Sequence, residues 1–192
     1  MSHSVHQATI EMLDDVVATA LPRHCDDPVW MWIFGLGADL QPRLTPWLEA
    51  WMDALIRLGD VWCVGDAAGV AVLLPLDDAV DHYQAELWTL PILAEMAEHP
   101  DRYWPFWDWA TDAAPRAGYR LLELSVDPGH RRRGIGSALM EHCLTIARRE
   151  REPVYTVASL QSSVEYLKRF GFEVVVKEQS PGGGPTAWIL ST

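Results

Sequence analysis

The chain has 192 residues, 49% of them hydrophobic, enough for one domain with a sizeable core. Charges and prolines interrupt every apolar run before it reaches membrane-spanning length, so no membrane partner is expected. The net charge of −12 leaves no broad basic face for nucleic acid.

In chain order, Val5 to Ala8 reads as a short first strand. A helix follows over Ile10–Leu21, with Thr9 as N-cap, Pro22 as stop, and Ile10, Leu13, Val16, Val17 and Ala20 on its apolar face. Residues 25–40 read as irregular and aromatic, and 46–58 as an amphipathic helix ended by Gly59. Segments 61–66 and 69–76 form a hairpin turning at Ala67-Ala68. Helical segments over 77–97 and 101–114 come next. Strand 119–126, helix 134–150, strand 153–158, helix 162–170 and strands 172–177 and 186–191 complete the chain, with a loop at Ser180–Pro185 between the last two. Helices between strands and a terminal antiparallel pair imply a mixed α/β sheet. With no repeat, a single domain over 1–192 is expected.

Cys25, Cys63 and Cys143 are odd in number and far apart, which fits neither a disulfide framework nor a zinc site. The first fifteen residues lack the regions of a signal peptide, and a cytoplasmic location is expected. Seven scattered histidines make no ligand pair on a helix, so no metal is expected. Residues 1–118 hold 19 acidic and 5 basic side chains, against 8 and 10 in residues 119–192. The acidic half would steer a cationic amine or simply keep the chain soluble.

Residues 121–140, LLELSVDPGHRRRGIGSALM, hold the most specific signal. Glycines and arginines between a strand and a helix suggest an anion site built largely of backbone. Two phosphate motifs fail on spacing. No Gly-Lys pair exists for a P-loop, and the last position of a dinucleotide fingerprint counted from Gly134 is Leu139. The pattern Arg-x-x-Gly-x-Gly is met by Arg131-Arg132-Arg133-Gly134-Ile135-Gly136.

With the strand end Leu-Ser-Val-Asp-Pro before it, this motif resembles the pyrophosphate loop of the GNAT-type N-acetyltransferases. Ser163 to Phe172, SVEYLKRFGF, resembles the helix and Gly-Phe turn that closes the same site. The element order is similar to that fold from end to end. ATIEMLDDV near the N-terminus, the aromatic segment, and the ending FGFEVV…GGGPTAWIL look similar to the puromycin N-acetyltransferase-like branch. The resemblance implies an α/β GNAT fold, a mixed, largely antiparallel sheet splayed at a β-bulge and flanked by helices. It implies acetyl-CoA as cosubstrate, with pantetheine pairing to the backbone of Leu124, Ser125 and Val126. Amides and side chains from Arg131, Arg132, Arg133, Gly134, Ile135, Gly136 and Ser137 would hold the pyrophosphate, with Arg132 either in contact or facing solvent.

The resemblance places a general-acid tyrosine four residues before the Gly of the Gly-Phe turn, where this chain has Leu167. Tyr166 is one position, about 100°, away on a helix. It either reaches the thioester sulfur as the acid, packs in the core, or faces water. Glu123 is the best-placed carboxylate for a base; the alternatives are an outward-facing glutamate and proton transfer through water. Cys143 is expected to pack. Trp47 and Trp51, at i, i+4, read as a helix core face. The run from Tyr103 to Trp109 reads as packing of an insertion, a dimer contact, or an acceptor pocket with Asp108 or Asp112 for an amine. The function implied is transfer of acetyl from acetyl-CoA to a primary amine of a small aromatic or cationic acceptor in a ternary complex. The alternative is a CoA-binding sensor with little catalysis. Dimers are common in the resembled family, so a homodimer is a candidate assembly.

Overall fold

The computed structural model describes residues 3–36, 40–76, 89–115 and 117–192. Its frame is a seven-stranded sheet in the order β1-β2-β3-β4-β5-β7-β6. The strands are β1 Val5–Gln7, β2 Val61–Val64, β3 Gly69–Pro75, β4 Tyr119–Val126, β5 Val154–Ala158, β6 Glu173–Gln179 and β7 Thr186–Ser191. All neighbours pair antiparallel except β4 and β5, which are parallel. Helices α1 Leu13–Asp26, α2 Pro28–Phe34 and α3 Leu40–Leu58 cover one face with α5 Tyr103–Asp112. Helices α6 Ile135–Glu150 and α7 Gln161–Lys168 pack on the other, and α4 is described over residues 89–96.

The sheet separates two cores, and β3 shows how the sequence builds both. Val70, Val72 and Leu74 join the layer of Ile33, Phe34, Trp47 and Met52, while Ala71 and Leu73 join that of Leu139, Met140 and Cys143. Period-two alternation in a strand apolar on both sides produces this. Trp47 and Trp51 stack at 5.2 Å and are both buried, as their spacing suggests.

Two features of β4 shape the site. Its pairing with β5 consists of Tyr119 with Val154 and Arg120 with Tyr155, after which the strands part. The Thr156 hydroxyl donates to the Leu121 carbonyl at 2.7 Å just where they separate. On the other edge, the register against β3 slips between Val72, paired to Glu123, and Leu73, paired to Leu121. Leu122 is the extra residue. Leu121 packs with the α6 core and Leu122 with the α1–α3 core, and Glu123, opposite Val72, follows Leu122 to that side. Without the bulge Glu123 would face α6.

Several sequence boundaries change. The bulge lies at Leu122, one residue before Glu123 rather than one residue after it. Thr9 starts only a 3-10 turn, Ile10–Met12, and its side chain makes no capping bond. Pro22 sits inside α1, which continues to Asp26. Residues 25–40 are not irregular throughout, because α2 is helical, with Asp27 accepting from the Val29 amide at 2.9 Å. Helix α3 is already helical at Leu40, the first described residue after 36, and carries Pro46 within it. Both prolines stay helical because the faces around them are buried, Val16, Val17, Ala20 and His24 in α1 and Leu44, Trp47, Leu48 and Trp51 in α3. Packing there outweighs the lost backbone bonds. The first part of the helix expected over 77–97 lies outside the described residues. No described helix is long and apolar enough to cross a membrane.

Candidate active site

The turn after β4 is fixed by Asp127. Its carboxylate accepts from the Gly129 amide at 2.9 Å and from His130 Nδ1 at 2.8 Å. The His130 contact holds Asp127 below the usual carboxylate range. Arg131 Nε donates to the Val126 carbonyl at 3.2 Å, tying the turn to the strand end. Arg132 and Gly134 then take left-handed φ values of 63° and 86°, and α6 begins at Ile135 with no side-chain cap. The amides of its first turn are therefore free for a ligand oxygen, and the helix dipole favours an anion there. Gly136 sits tightly, since a Cβ would lie 3.0 Å from the Tyr166 hydroxyl and 3.4 Å from Val126 Cγ2, so these side chains would have to give by a few tenths of an ångström.

A cleft of about 680 Å³ runs from this turn into the opening between β4 and β5. Leu121 to Leu124 and Val126 form one wall, Thr156 to Ala158 the other, and Ser162, Ser163, Tyr166, Leu167 and Arg169 the lid side. Among the residues expected to hold the cofactor, Leu124, Val126, Arg131, Arg132, Gly134, Ile135, Gly136 and Ser137 line it. Ser125 and Arg133 do not. The Ser125 hydroxyl turns to Glu123 Oε1 at 2.5 Å, and the Arg133 carbonyl meets His3 Nε2 at 2.7 Å. The β4 edge facing β5 has no strand pairing beyond Arg120, which offers backbone groups to an extended ligand.

Tyr166 and Leu167 both reach the cleft. Leu167 is buried in the α6 core, while the Tyr166 ring packs on Phe170 at 5.1 Å under the Arg169 guanidinium. The Tyr166 hydroxyl is shut from solvent, and its approach to Ser137 falls short of a well-formed hydrogen bond. Burial pushes its pKa up, against weaker downward pulls from Ser137 and Arg169. The phenol therefore keeps its proton at neutral pH.

Glu123 is buried, 2% exposed, and stands where the cleft meets a second, smaller chamber of about 40 Å³. That chamber is lined by Arg23, His24 and Asp27 from α1 and its end, Trp30 from α2, Trp51 from α3, and Phe106 and Trp107 from α5. His24 Nε2 lies 3.5 Å from Glu123 Oε2, and its ring sits 5.4 Å from Trp30. Asp108 and Asp112, the carboxylates expected beside the aromatic run, are exposed and do not line it; Asp27 and Glu123 do. Sequence reasoning missed His24 and Asp27, and it named Ser125 for its backbone, not for the hydroxyl that bonds Glu123. A signal for His24 existed in its position four residues after Ala20, on the apolar face of α1, but ending the helix at Pro22 hid it. Cys143 is fully buried, and burial raises its thiol to about 12, which leaves no thiolate for covalent catalysis. No cluster of three or more metal-ligating side chains occurs among the described residues.

Fold and cleft together define an acyltransferase of one superfamily. Residues 58–174 match the family model described as acetyltransferase (GNAT) domain, and the chain belongs to that family. Solved structures share the fold over nearly the whole length. A protein from Corynebacterium glutamicum, described as histone acetyltransferase HPA2 and related acetyltransferase, aligns with TM-score 0.66 and 21% identity, over 100% of this chain and 96% of its own. An N-acetyltransferase from Staphylococcus aureus aligns with TM-score 0.65 and 13% identity, over 97% and 99%. A polyamine N-acetyltransferase of Drosophila melanogaster, which forms N-acetylagmatine, aligns with TM-score 0.60 and 14% identity, over 98% of each chain. No curated relative matches the chain in sequence.

Proposed function

We propose that this acyltransferase moves the acetyl group of acetyl-CoA to the primary amine of a small aromatic or cationic acceptor, with both substrates bound at once. One observation carries the reading: the anion-binding turn opens into a cleft whose inner end meets a separate aromatic chamber at a buried carboxylate, Glu123. A donor along the cleft and an acceptor in the chamber would meet there. The Drosophila neighbour's amine acceptor agrees with this division.

The free amides from Arg131 to Ser137 and the cationic side chains of Arg131 and Arg132 fit a pyrophosphate, and the unpaired β4 edge fits pantetheine amides. Glu123 takes a proton from the acceptor's ammonium, and the amine nitrogen then attacks the thioester carbonyl carbon. As the tetrahedral intermediate collapses, the C–S bond breaks, the thiolate takes the Tyr166 proton, and the second proton of the attacking nitrogen leaves through water, which reprotonates the Tyr166 phenolate. The phenol supports this role because it is buried, protonated and without a firm partner. The likeness of ATIEMLDDV and the FGFEVV…GGGPTAWIL ending supports a place in the puromycin N-acetyltransferase-like branch. A homodimer is proposed through β6, an edge strand with Val174 and Val175 exposed.

Thermal unfolding with acetyl-CoA, followed by thiol release across an amine panel, tests the reading. Stabilisation and amine-dependent thiol release are expected. Stabilisation without release on any amine would favour a CoA-binding sensor, the reading to which Leu167 at the family's acid position points.

A further inference from the structure

The small chamber beside Glu123 holds buried polar atoms that do not satisfy one another. Glu123 Oε2, Trp107 Nε1 and Ser159 Oγ, all on its lining, lack hydrogen-bond partners. His24 Nδ1 lies 3.1 Å from the Ala20 carbonyl. A carbonyl can only accept, so Nδ1 carries a hydrogen, and Nε2 is the ring atom turned to Glu123. Nε2 and Glu123 Oε2 stand 3.5 Å apart, beyond the roughly 2.7–3.2 Å of an N–H···O bond. Glu123 Oε2 is thus a buried acceptor without a hydrogen-bond donor, with His24 Nε2 beside it. Arg23, the cation on the lining, lies 4.0 Å from Asp27 Oδ2, so its charge is offset by Asp27 and not by Glu123. The rings of Trp30, Trp51, Phe106 and Trp107 complete the walls, and aromatic faces attract cations.

We propose that this chamber seats the acceptor's ammonium group between Glu123 Oε2 and His24 Nε2, and that it selects primary alkylammonium ions unbranched at the carbon bearing nitrogen. The inference rests on the amine-acetylation reading above and narrows it. Size sets the limit on branching. A space of about 40 Å³ holds roughly three water-sized groups at about 10–15 Å³ each, which suits the nitrogen and its first two carbons. An amino acid's α-amino group, or a protein N-terminus, carries two heavy substituents on that carbon and does not fit. An aminomethylene end on an aryl or alkyl body does. Trp107 N–H and the Ser159 hydroxyl remain as donors to an acceptor atom further along the ligand. On binding, the ammonium donates to both acceptors; one N–H bond then breaks as a proton passes to Glu123, whose other oxygen is held by the Ser125 hydroxyl.

Calorimetric titration of n-propylamine and tert-butylamine into the CoA-loaded protein tests this without turnover. n-Propylamine is expected to bind at least tenfold more tightly than tert-butylamine. Glu123→Gln and His24→Phe are each expected to weaken it tenfold or more, with CoA affinity within twofold of the parent. The phenyl ring keeps the packing against Trp30 and Trp47 while removing Nε2. Equal affinity for the two amines, no binding of n-propylamine, or unchanged binding in the variants overturns the proposal. Should His24→Phe fail to fold by circular dichroism, the isosteric Glu123→Gln decides alone. Absence of CoA binding would instead overturn the acetyl-CoA reading, and the same titration on the free protein would still decide the ammonium seat.

Discussion

Tyr166 shows how one position along a helix is absorbed by geometry. Both it and Leu167 reach the cleft, so the step of about 100° between them does not force the tyrosine away. Its phenol comes so close to α6 that a Cβ at position 136 would lie 3.0 Å from the hydroxyl. Replacing Tyr166 by Phe is expected to lower kcat about 10²-fold, the lower end for a lost general acid, with acetyl-CoA affinity kept. Stopped assays of kcat and KM check it. The raised pKa fixes the sign of the pH response. A phenol that holds its proton longer in the folded chain than in the unfolded one stabilises the fold below the ordinary value of 10. That contribution disappears as pH rises through the folded pKa. Wild-type activity should therefore lose no acid function on the alkaline side until above pH 10.

At the scale of elements, the parting of β4 and β5 is held at its apex by Thr156. Thr156→Val keeps the shape and removes the donor to the buried Leu121 carbonyl, and is expected to cost about 1–3 kcal/mol. Urea unfolding with an unchanged m-value would show it. The sequence made the donor side readable because Arg131 to Gly136 is a local pattern that dictates its own turn. It did not reveal Glu123's surroundings. Strand period places Glu123 relative to Leu121, but the extra residue at Leu122 reverses the face, and that slip is visible only against β3. His24 stayed hidden for a different reason. Proline costs a helix about 3 kcal/mol in isolation, so Pro22 reads as a stop, while burial of Leu21 and His24 carries α1 four residues further. Local rules identify what local chemistry decides; the acceptor side is assembled from α1, α2, α3 and α5 by tertiary packing.

Across the whole molecule, charge is divided as the site is. The part up to residue 118, with 19 acidic and 5 basic side chains, supplies most of the aromatic chamber proposed for the acceptor, and the more basic remainder supplies the anion-binding turn. A field of that sign concentrates cations near the chamber. For a cationic amine, kcat/KM is expected to fall as salt rises from 0.01 to 0.15 M, where the screening length shrinks from about 30 to 8 Å. An arylamine, neutral at the same pH, should show little change. The sheet that keeps the two cores apart has an evolutionary consequence. His24, Trp30 and Trp51 all precede residue 58, where the family match begins, while the donor turn and Glu123 lie within it. On the proposed seating, changes at His24, Trp30 or Trp51 would alter which amine is accepted while leaving the residues of the anion-binding turn as they are. Substrate scope and cofactor use would then be heritable separately, and two enzymes with the same turn need share no substrate.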